Sequence, residues 1–265
     1  MSDDLLVEVD GPVLRVTFDR PEARNAMTFG MYQGLVRACD QADADDAIRV
    51  MVLRGAGGRA FVAGTDIAQF AGFDGPRGVA YEREIDATIG RLLAVRVPVV
   101  AAIDGACVGG GLAIAAAADL RVAHPSARFG YPIARTLGNT LSAASYALTL
   151  RHFGHARTVD MVMTARLLDA EEAHACGFVA RVAPAGTDLT AVTDELVGTL
   201  LEHAPLTLWA AKEILRRVHA AATGAATAPA AVDATDVIDR VYGSADFAAG
   251  VAAFTGRGRA EWTGR

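Results

Sequence analysis

The segment 97–119, Val-Pro-Val-Val-Ala-Ala-Ile-Asp-Gly-Ala-Cys-Val-Gly-Gly-Gly-Leu-Ala-Ile-Ala-Ala-Ala-Ala-Asp, constrains the fold more than any other part of the chain. Val99 to Ile103 is a continuous apolar run, which predicts a strand covered on both faces. Asp104-Gly105 is a turn signal. Gly109, Gly110 and Gly111 remove three side chains in succession, so something approaches the backbone there or the next helix packs very tightly. The first amides of a helix lack internal partners and carry the positive end of its dipole. A buried strand, a glycine turn and a helix start together predict a place that holds negative charge.

Composition narrows what surrounds that place. With 265 residues and 52% hydrophobic content, the chain is long and apolar enough for one large core. Its formal net charge of −6 argues against the basic stripe of a nucleic-acid partner. Cys39, Cys107 and Cys176 are odd in number, far apart and without CxxC spacing. They predict neither a disulfide framework nor a metal site, and fit a reducing, cytoplasmic compartment. The acidic start Met1-Ser2-Asp3-Asp4 does not read as a signal peptide. Asp104 and the glycines break the longest apolar run, so no membrane span is expected.

Around this centre the pattern repeats strand, strand, helix. Segments 5–9 and 13–18 alternate as a hairpin about Asp10-Gly11-Pro12. Residues 28–42 read as a helix, 50–53 as a buried strand, and 60–67 as a second strand running into a glycine turn at Gly64. Residues 78–93 form a helix whose apolar face holds Tyr81, Ile85, Ile89, Leu92 and Leu93, with Glu82 inside the stripe. Short strands are expected at 120–123 and 128–130, and an apolar helix at 141–153. Asp169-Ala170-Glu171-Glu172 is a capping-box helix start. Beyond it, 189–202 is amphipathic, Pro205 opens another helix, 223–229 is the best hinge candidate, and 233–242 and 245–254 are final helices. The organisation is a core over 1–200 and a helical region over 201–265 within one functional unit.

Two glycine turns, each after a buried strand, carry a resemblance. Phe61-Val62-Ala63-Gly64-Thr65-Asp66-Ile67, with Gly105 to Gly111 and Asp119-Leu120-Arg121-Val122-Ala123, resembles the crotonase (enoyl-CoA hydratase/isomerase) superfamily. Arg20-Pro21 to Met27, Ser126 to Gly130, Thr164-Ala165-Arg166 to Val179 and Pro205 to Lys212 extend it over nearly the whole chain. The resemblance implies an α/β fold, a crotonase-like spiral of strand-strand-helix units with a C-terminal helical trimerisation region. It implies a homotrimer or a hexamer built of two trimers. It also implies a coenzyme A thioester as substrate, with no separate cofactor and no metal. Two backbone N–H groups would form an oxyanion hole for the thioester carbonyl, and by motif position they belong to Thr65 and Gly110. Thr65 departs from the small residue usual at that place, and its hydroxyl is a possible extra donor. The family loops suggest Ala23, Arg24, Asn25, Ala63, Gly64, Asp66, Ile67 and Gly109 for the coenzyme A side, largely through backbone, and Arg257 or Arg259 for a phosphate.

The acid/base positions depart further. Family members that hydrate an enoyl-CoA carry two glutamates, and the matching positions here are Ala113 and Ile133. Neither side chain moves a proton, and such groups are worth about 10²–10⁴ each in rate. Glu82 is one replacement candidate, because a carboxylate in an apolar stripe has a raised pKa when buried. The plainer reading places it at the edge of the stripe or against an arginine. Tyr131 and Arg135 flank Ile133 and can orient a carboxylate or polarise a carbonyl; packing and an ion pair are their plainer roles. Asp66 reads as a turn cap, Asp119 as structural, and His152 with His155 as partners of a helix C-terminus.

Other classes fit less well. The glycine run lacks the third glycine of GxGxxG and a ribose-binding acid. Lys212, the only lysine, follows no glycine loop, so a P-loop is excluded; no Gly-x-Ser-x-Gly elbow occurs. The activity that the resemblance implies is acyl-CoA chemistry of the hydratase/isomerase group through a thioester enolate. The alternatives are an acyl-CoA decarboxylase, thioesterase or isomerase, or a non-catalytic scaffold that binds coenzyme A thioesters.

Overall fold

The computed structural model describes residues 4–223, 232–255 and 258–265. The proposed hinge at 223–229 lies outside them but for its first residue, and Arg257 lies outside them altogether.

The chain opens with the hairpin β1 (Leu5–Asp10) and β2 (Val13–Phe18), paired in register from Leu5 with Phe18 to Asp10 with Val13. Helix α1 (Phe29–Ala44) follows, capped by the Thr28 side chain on the Met31 amide. Then come β3 (Val50–Gly55), β4 (Ala60–Ala63) and α2 (Gly75–Leu93), the last beginning one turn earlier than the apolar pattern predicts because Asp74 caps it. The central stretch contains β5 (Val99–Ile103), β6 (Ala106–Val108) and α3 (Gly110–Ala117). The next unit has β7 (Leu120–Ala123), β8 (Arg128–Gly130), a one-turn α4 (Ile133–Thr136) and α5 (Ala143–Met163). The rest comprises β9 (Leu168–Asp169), α6 (Ala170–Ala175), β10 (Arg181–Val182), α7 (Leu189–Glu202), α8 (Pro205–Thr223), α9 (Thr235–Tyr242) and α10 (Ala245–Thr255).

From β3 to β8, successive strands alternate between two sheets. One has the order β1-β2-β3-β5-β7-β10, the other β4-β6-β8-β9. Within each pair, β3 then β4, β5 then β6, β7 then β8, the chain leaves the first sheet, enters the second and turns into helix. This is the expected α/β spiral of strand-strand-helix units. Gly105 makes the crossing at the central unit: its φ is +51°, and a Cβ would run into the Arg59 carbonyl. Strand β6, hidden in the sequence between Gly105 and Gly109, pairs in parallel with both β4 and β8.

The helical stretch expected to end at Phe153 does end there: Gly154, at φ +71° and ψ 171°, is non-helical and kinks α5 before a second helical stretch runs on to Met163. One expectation needs correction, because His152 serves the end of another helix, not of its own. The ring Nε2 meets the Ala116 carbonyl at 2.9 Å in the last turn of α3. Arg121, 6% exposed, serves the same end, donating to the Ala115 and Ala118 carbonyls at 3.1 and 2.6 Å. Side chains thus satisfy the Ala115, Ala116 and Ala118 carbonyls at the C-terminal end of buried α3, while Gly110 at its N-terminus borders a cavity. Among the described residues, no helix is long and apolar enough to cross a membrane, and no cluster suits a metal ion.

Candidate active site

Two glycine turns meet at the N-terminus of α3. After β4 the chain passes through Gly64, at φ +96°, to Thr65. Thr65 lies beside Met27 in a parallel bridge: Met27 N–H donates to the Gly64 carbonyl at 2.8 Å, and Asp66 N–H to the Met27 carbonyl at 2.9 Å. Strand alternation turns the Thr65 amide away from Met27, and it meets no acceptor among the described residues. After β6, Gly109 N–H is spent on the Gly130 carbonyl at 3.0 Å. The next amide, Gly110, is the first of α3 and is likewise unpartnered among the described residues. The turns touch, since a Cβ on Gly109 would lie 3.4 Å from Gly64 Cα. Gly111 must stay bare for a different reason: a side chain there would enter the Val62 backbone.

Both amides border one cavity of about 320 Å³. Arg24, Ala63, Gly64, Ile67, Gly109, Glu82 and Tyr131 line it as well. So do Ala113 and Ile133, the two positions where the resemblance would put glutamates. Among the described residues, Glu82 is the only carboxylate on its wall. A second, more apolar cavity of about 640 Å³ adjoins it, sharing Phe70, Tyr81, Glu82, Leu137, Asn139 and Leu141.

Several expected residues have other duties. Ala23 does not line the cavity. Asn25 is fully buried; its Oδ1 accepts from Arg20 N–H at 2.9 Å, and its Nδ2 donates to the Ala56 and Ala60 carbonyls at 3.0 and 2.7 Å. It shapes the loop that presents Arg24, and its side chain has nothing left for a ligand. Asp66 pairs with Arg20 at 3.1 Å and caps Ala68 N–H at 3.1 Å, the turn-capping role expected of it. Arg135 is exposed and does not border the cavity, so it does not join Tyr131 across Ile133. The helix turn of α4 carries it outward while Ile133 and Thr136 face in. Tyr131 does border the cavity, 1% exposed and 3.4 Å from Thr149 Oγ1, and burial raises its pKa.

Glu82 is half-buried, and among the described residues it makes no ion pair with an arginine. Its Oε2 accepts the Ser142 N–H at 2.9 Å, and its neighbour Asp86 accepts from Ser142 Oγ at 2.6 Å. Burial raises the Glu82 pKa, opposed by that hydrogen bond and assisted by the Asp86 charge.

Periodicity put Tyr81 on the apolar face of its helix without a role at the site, and it did not single out Tyr32. Thr65 Oγ1 lies 2.8 Å from the Tyr32 hydroxyl and 2.7 Å from the Tyr81 hydroxyl. A Cβ on Gly110 would run into Tyr32 Oη and come within 3.3 Å of Thr65 Oγ1, so the three hydroxyls crowd the start of α3. The signal available in the sequence was Thr65 itself, a hydroxyl where a small apolar residue is usual.

This spiral, with paired glycine turns opening on a cavity, defines a crotonase-like protein. The enoyl-CoA hydratase/isomerase family profile matches residues 8–265. Enoyl-CoA hydratase EchA19 of Mycobacterium tuberculosis is 35% identical over 222 residues, covering 81% of this chain and 80% of that one. The 2,3-dehydroadipyl-CoA hydratase of Escherichia coli is 32% identical over 230 residues, covering 84% and 85%. The crystal structure of an enoyl-CoA hydratase/carnithine racemase from Magnetospirillum magneticum superposes with a TM-score of 0.89 at 30% identity, covering 100% of this chain and 97% of that one. The chain belongs to the enoyl-CoA hydratase/isomerase family.

Proposed function

We propose that this protein is an acyl-CoA enzyme that stabilises a thioester enolate between the Thr65 and Gly110 amides. The observation that carries the reading is the pair of unpartnered N–H groups, from two touching turns, on one cavity. Preorganised donors of this kind are worth about 3–4 kcal/mol each when charge develops on one oxygen. The positive N-terminal end of the α3 dipole adds to them, because Gly110 is the first residue of that helix. Arg24, Ala63, Gly64, Ile67 and Gly109 would meet the coenzyme A portion, and the larger apolar cavity would take the acyl group. Coenzyme A enters as part of the substrate, with no separate cofactor.

The hydratase names of the relatives favour addition of water to an enoyl-CoA. A second reading rests on Ala113 and Ile133, which leave the cavity wall apolar where hydration needs carboxylates. On that reading the enolate arises by another route, such as decarboxylation or isomerisation of an acyl-CoA. Assembly into a homotrimer or hexamer fits the exposed Leu215, Ile238, Tyr242, Phe247 and Val251 on α8, α9 and α10. A cytoplasmic location fits the three free cysteines.

The test is a thermal-shift series with coenzyme A thioesters, paired with crotonyl-CoA turnover followed at its enone absorbance. Coenzyme A thioesters should raise the melting temperature, and Gly110→Pro, which deletes one amide donor, should remove turnover. Absence of a shift with any acyl-CoA would overturn the reading. Binding without crotonyl-CoA turnover would move it from hydration to the second reading.

A further inference from the structure

We propose that Tyr81 is a catalytic residue, the phenol that gives a proton to, and takes one from, the α-carbon of the bound thioester. The proposal rests on the acyl-CoA reading above. It starts from the hydroxyl cluster at the mouth of α3. Tyr32, 4% exposed on α1, meets Thr65 Oγ1 at 2.8 Å, and Thr65 Oγ1 meets Tyr81 Oη at 2.7 Å. Three hydroxyls carry three protons, and the two hydrogen bonds use two of them. Tyr32, at the buried end, has no acceptor outside the cluster among the described residues. Its proton therefore points along the chain, Thr65 donates on to Tyr81, and the remaining proton sits on the phenol that borders both cavities.

The Tyr81 ring is held for this task. Phe70 stands edge-on at 4.9 Å between centroids, with Phe29 and Phe73 each at 6.2 Å. One hydrogen bond joins Tyr81 to Thr65, whose amide is one of the two that face the cavity. The phenol is thus fixed within a residue's reach of the thioester carbonyl.

The proton step balances. In the forward direction the enolate π pair forms the Cα–H bond. The Tyr81 O–H bond breaks, its electron pair stays on Oη, and the carbonyl re-forms. Charge passes from the thioester oxygen to the phenolate, where Thr65 donates to it with Tyr32 donating to Thr65 behind; water restores the proton after product leaves. The reverse sequence removes an α-proton. Burial raises the Tyr81 pKa above its usual value of 10, against the lowering effect of the neighbouring Thr65 and Tyr32 hydroxyls. Tyr32 faces it from α1, Glu82 adds a raising charge from α2, Arg24 and Tyr131 stand on the cavity wall, and α3 offers no titratable group. The phenol is therefore the resting form at neutral pH.

The experiment is α-proton exchange of butyryl-CoA in D2O, read by mass spectrometry between pH 7 and 9, with binding read in parallel by thermal shift. Wild-type exchange should rise about tenfold per pH unit, following the phenolate fraction. Tyr81→Phe, which keeps the ring, should still bind butyryl-CoA while exchange falls at least about 100-fold and its slope disappears. Thr65→Ala should displace the profile to higher pH, and Thr65→Ser should restore it, an effect that packing alone does not produce. Exchange that is flat across this range, absent, or unchanged in Tyr81→Phe overturns the proposal; a plateau lost in Glu82→Gln would give the role to Glu82. If butyryl-CoA does not shift the wild-type protein, the acyl-CoA reading fails first and Tyr81 with it.

Discussion

Lys212 Nζ donates to Asp119 Oδ2 at 2.7 Å and to the Val97 carbonyl at 3.0 Å, reaching from α8 to both ends of the central strand–helix unit. The same Asp119 oxygen accepts Val99 N–H at 2.8 Å. The only lysine in the chain thereby ties the C-terminal helices to the unit that carries Gly110. Its side chain is 10% exposed and that of Asp119 31%. Removing one partner of a fully buried pair costs about 3–5 kcal/mol, and partial exposure of Asp119 lowers the expectation. Lys212→Met should destabilise by about 1–3 kcal/mol in urea unfolding, with Lys212→Arg intermediate. An unchanged midpoint would mean that the clamp contributes nothing.

His152 makes stability depend on pH. Burial and the Arg121 charge lower its pKa from 6.5 to about 4, so it is neutral at pH 7 with Nε2–H on the Ala116 carbonyl. Between those values the unfolded chain binds more protons than the folded one, so stability rises with pH across the window. Acidification from about pH 6.5 to 4 should cost up to about 1.4 kcal/mol per pH unit from this group. His152→Gln keeps a donor without the titration. Its denaturation midpoint should change less with pH over this window than that of the wild type; parallel curves would exclude the histidine as the source.

Gly110 and Tyr32 are coupled through space. A Cβ at position 110 would strike Tyr32 Oη, whereas the ring carbon Cζ would lie 3.6 Å away, an ordinary contact. Gly110→Ala alone should cost about 1–3 kcal/mol through overpacking. In the Tyr32→Phe background the same change should cost less, with a coupling energy of about 1 kcal/mol in a double-mutant cycle. Additive effects would show that the ring moves aside freely.

The parts of the fold legible in the sequence are those that local chemistry decides. The run Val99–Ile103 is buried along its whole length, Thr28 and Asp169 cap the helices they precede, and Asp104-Gly105 turns through a positive φ. Strand β6 was not legible, because three residues between glycines have no periodicity and its partners lie about 45 residues before and 20 after. The end of the first helical stretch of α5 at Phe153 was legible, because Gly154 leaves helical geometry there, whereas the second stretch to Met163 was not assigned. At the site, the two turns were readable from their glycines, and the amides followed. The hydroxyl cluster was not, since Tyr32, Thr65 and Tyr81 come from three elements that only tertiary packing brings together. Asn25 was expected near a ligand through its backbone; the duty of its side chain, holding the Ala56 and Ala60 carbonyls, was not legible.

Glu82 gives the last prediction, because its anchoring and electrostatic effects point in opposite directions. Burial raises its pKa above 4.5, so the folded state holds its proton more tightly than the unfolded state. A raised pKa contributes stability that is present below about 4.5 and lost as pH rises through the folded value. At pH 7 the ionised carboxylate is therefore a burden on the fold, offset by the Ser142 N–H that it accepts at 2.9 Å. Glutamine keeps the size and a carbonyl acceptor for that N–H but removes the charge. Glu82→Gln should accordingly raise the melting temperature at pH 7 by a degree or two, on the order of a few tenths of a kcal/mol. The gain should vanish at pH 4, where Glu82 is itself protonated. A variant less stable than wild type at pH 7 would show that the carboxylate chiefly anchors the start of α5. A gain confined to neutral pH would mark Glu82 as a residue kept charged in an apolar wall at the expense of stability, as functional carboxylates are.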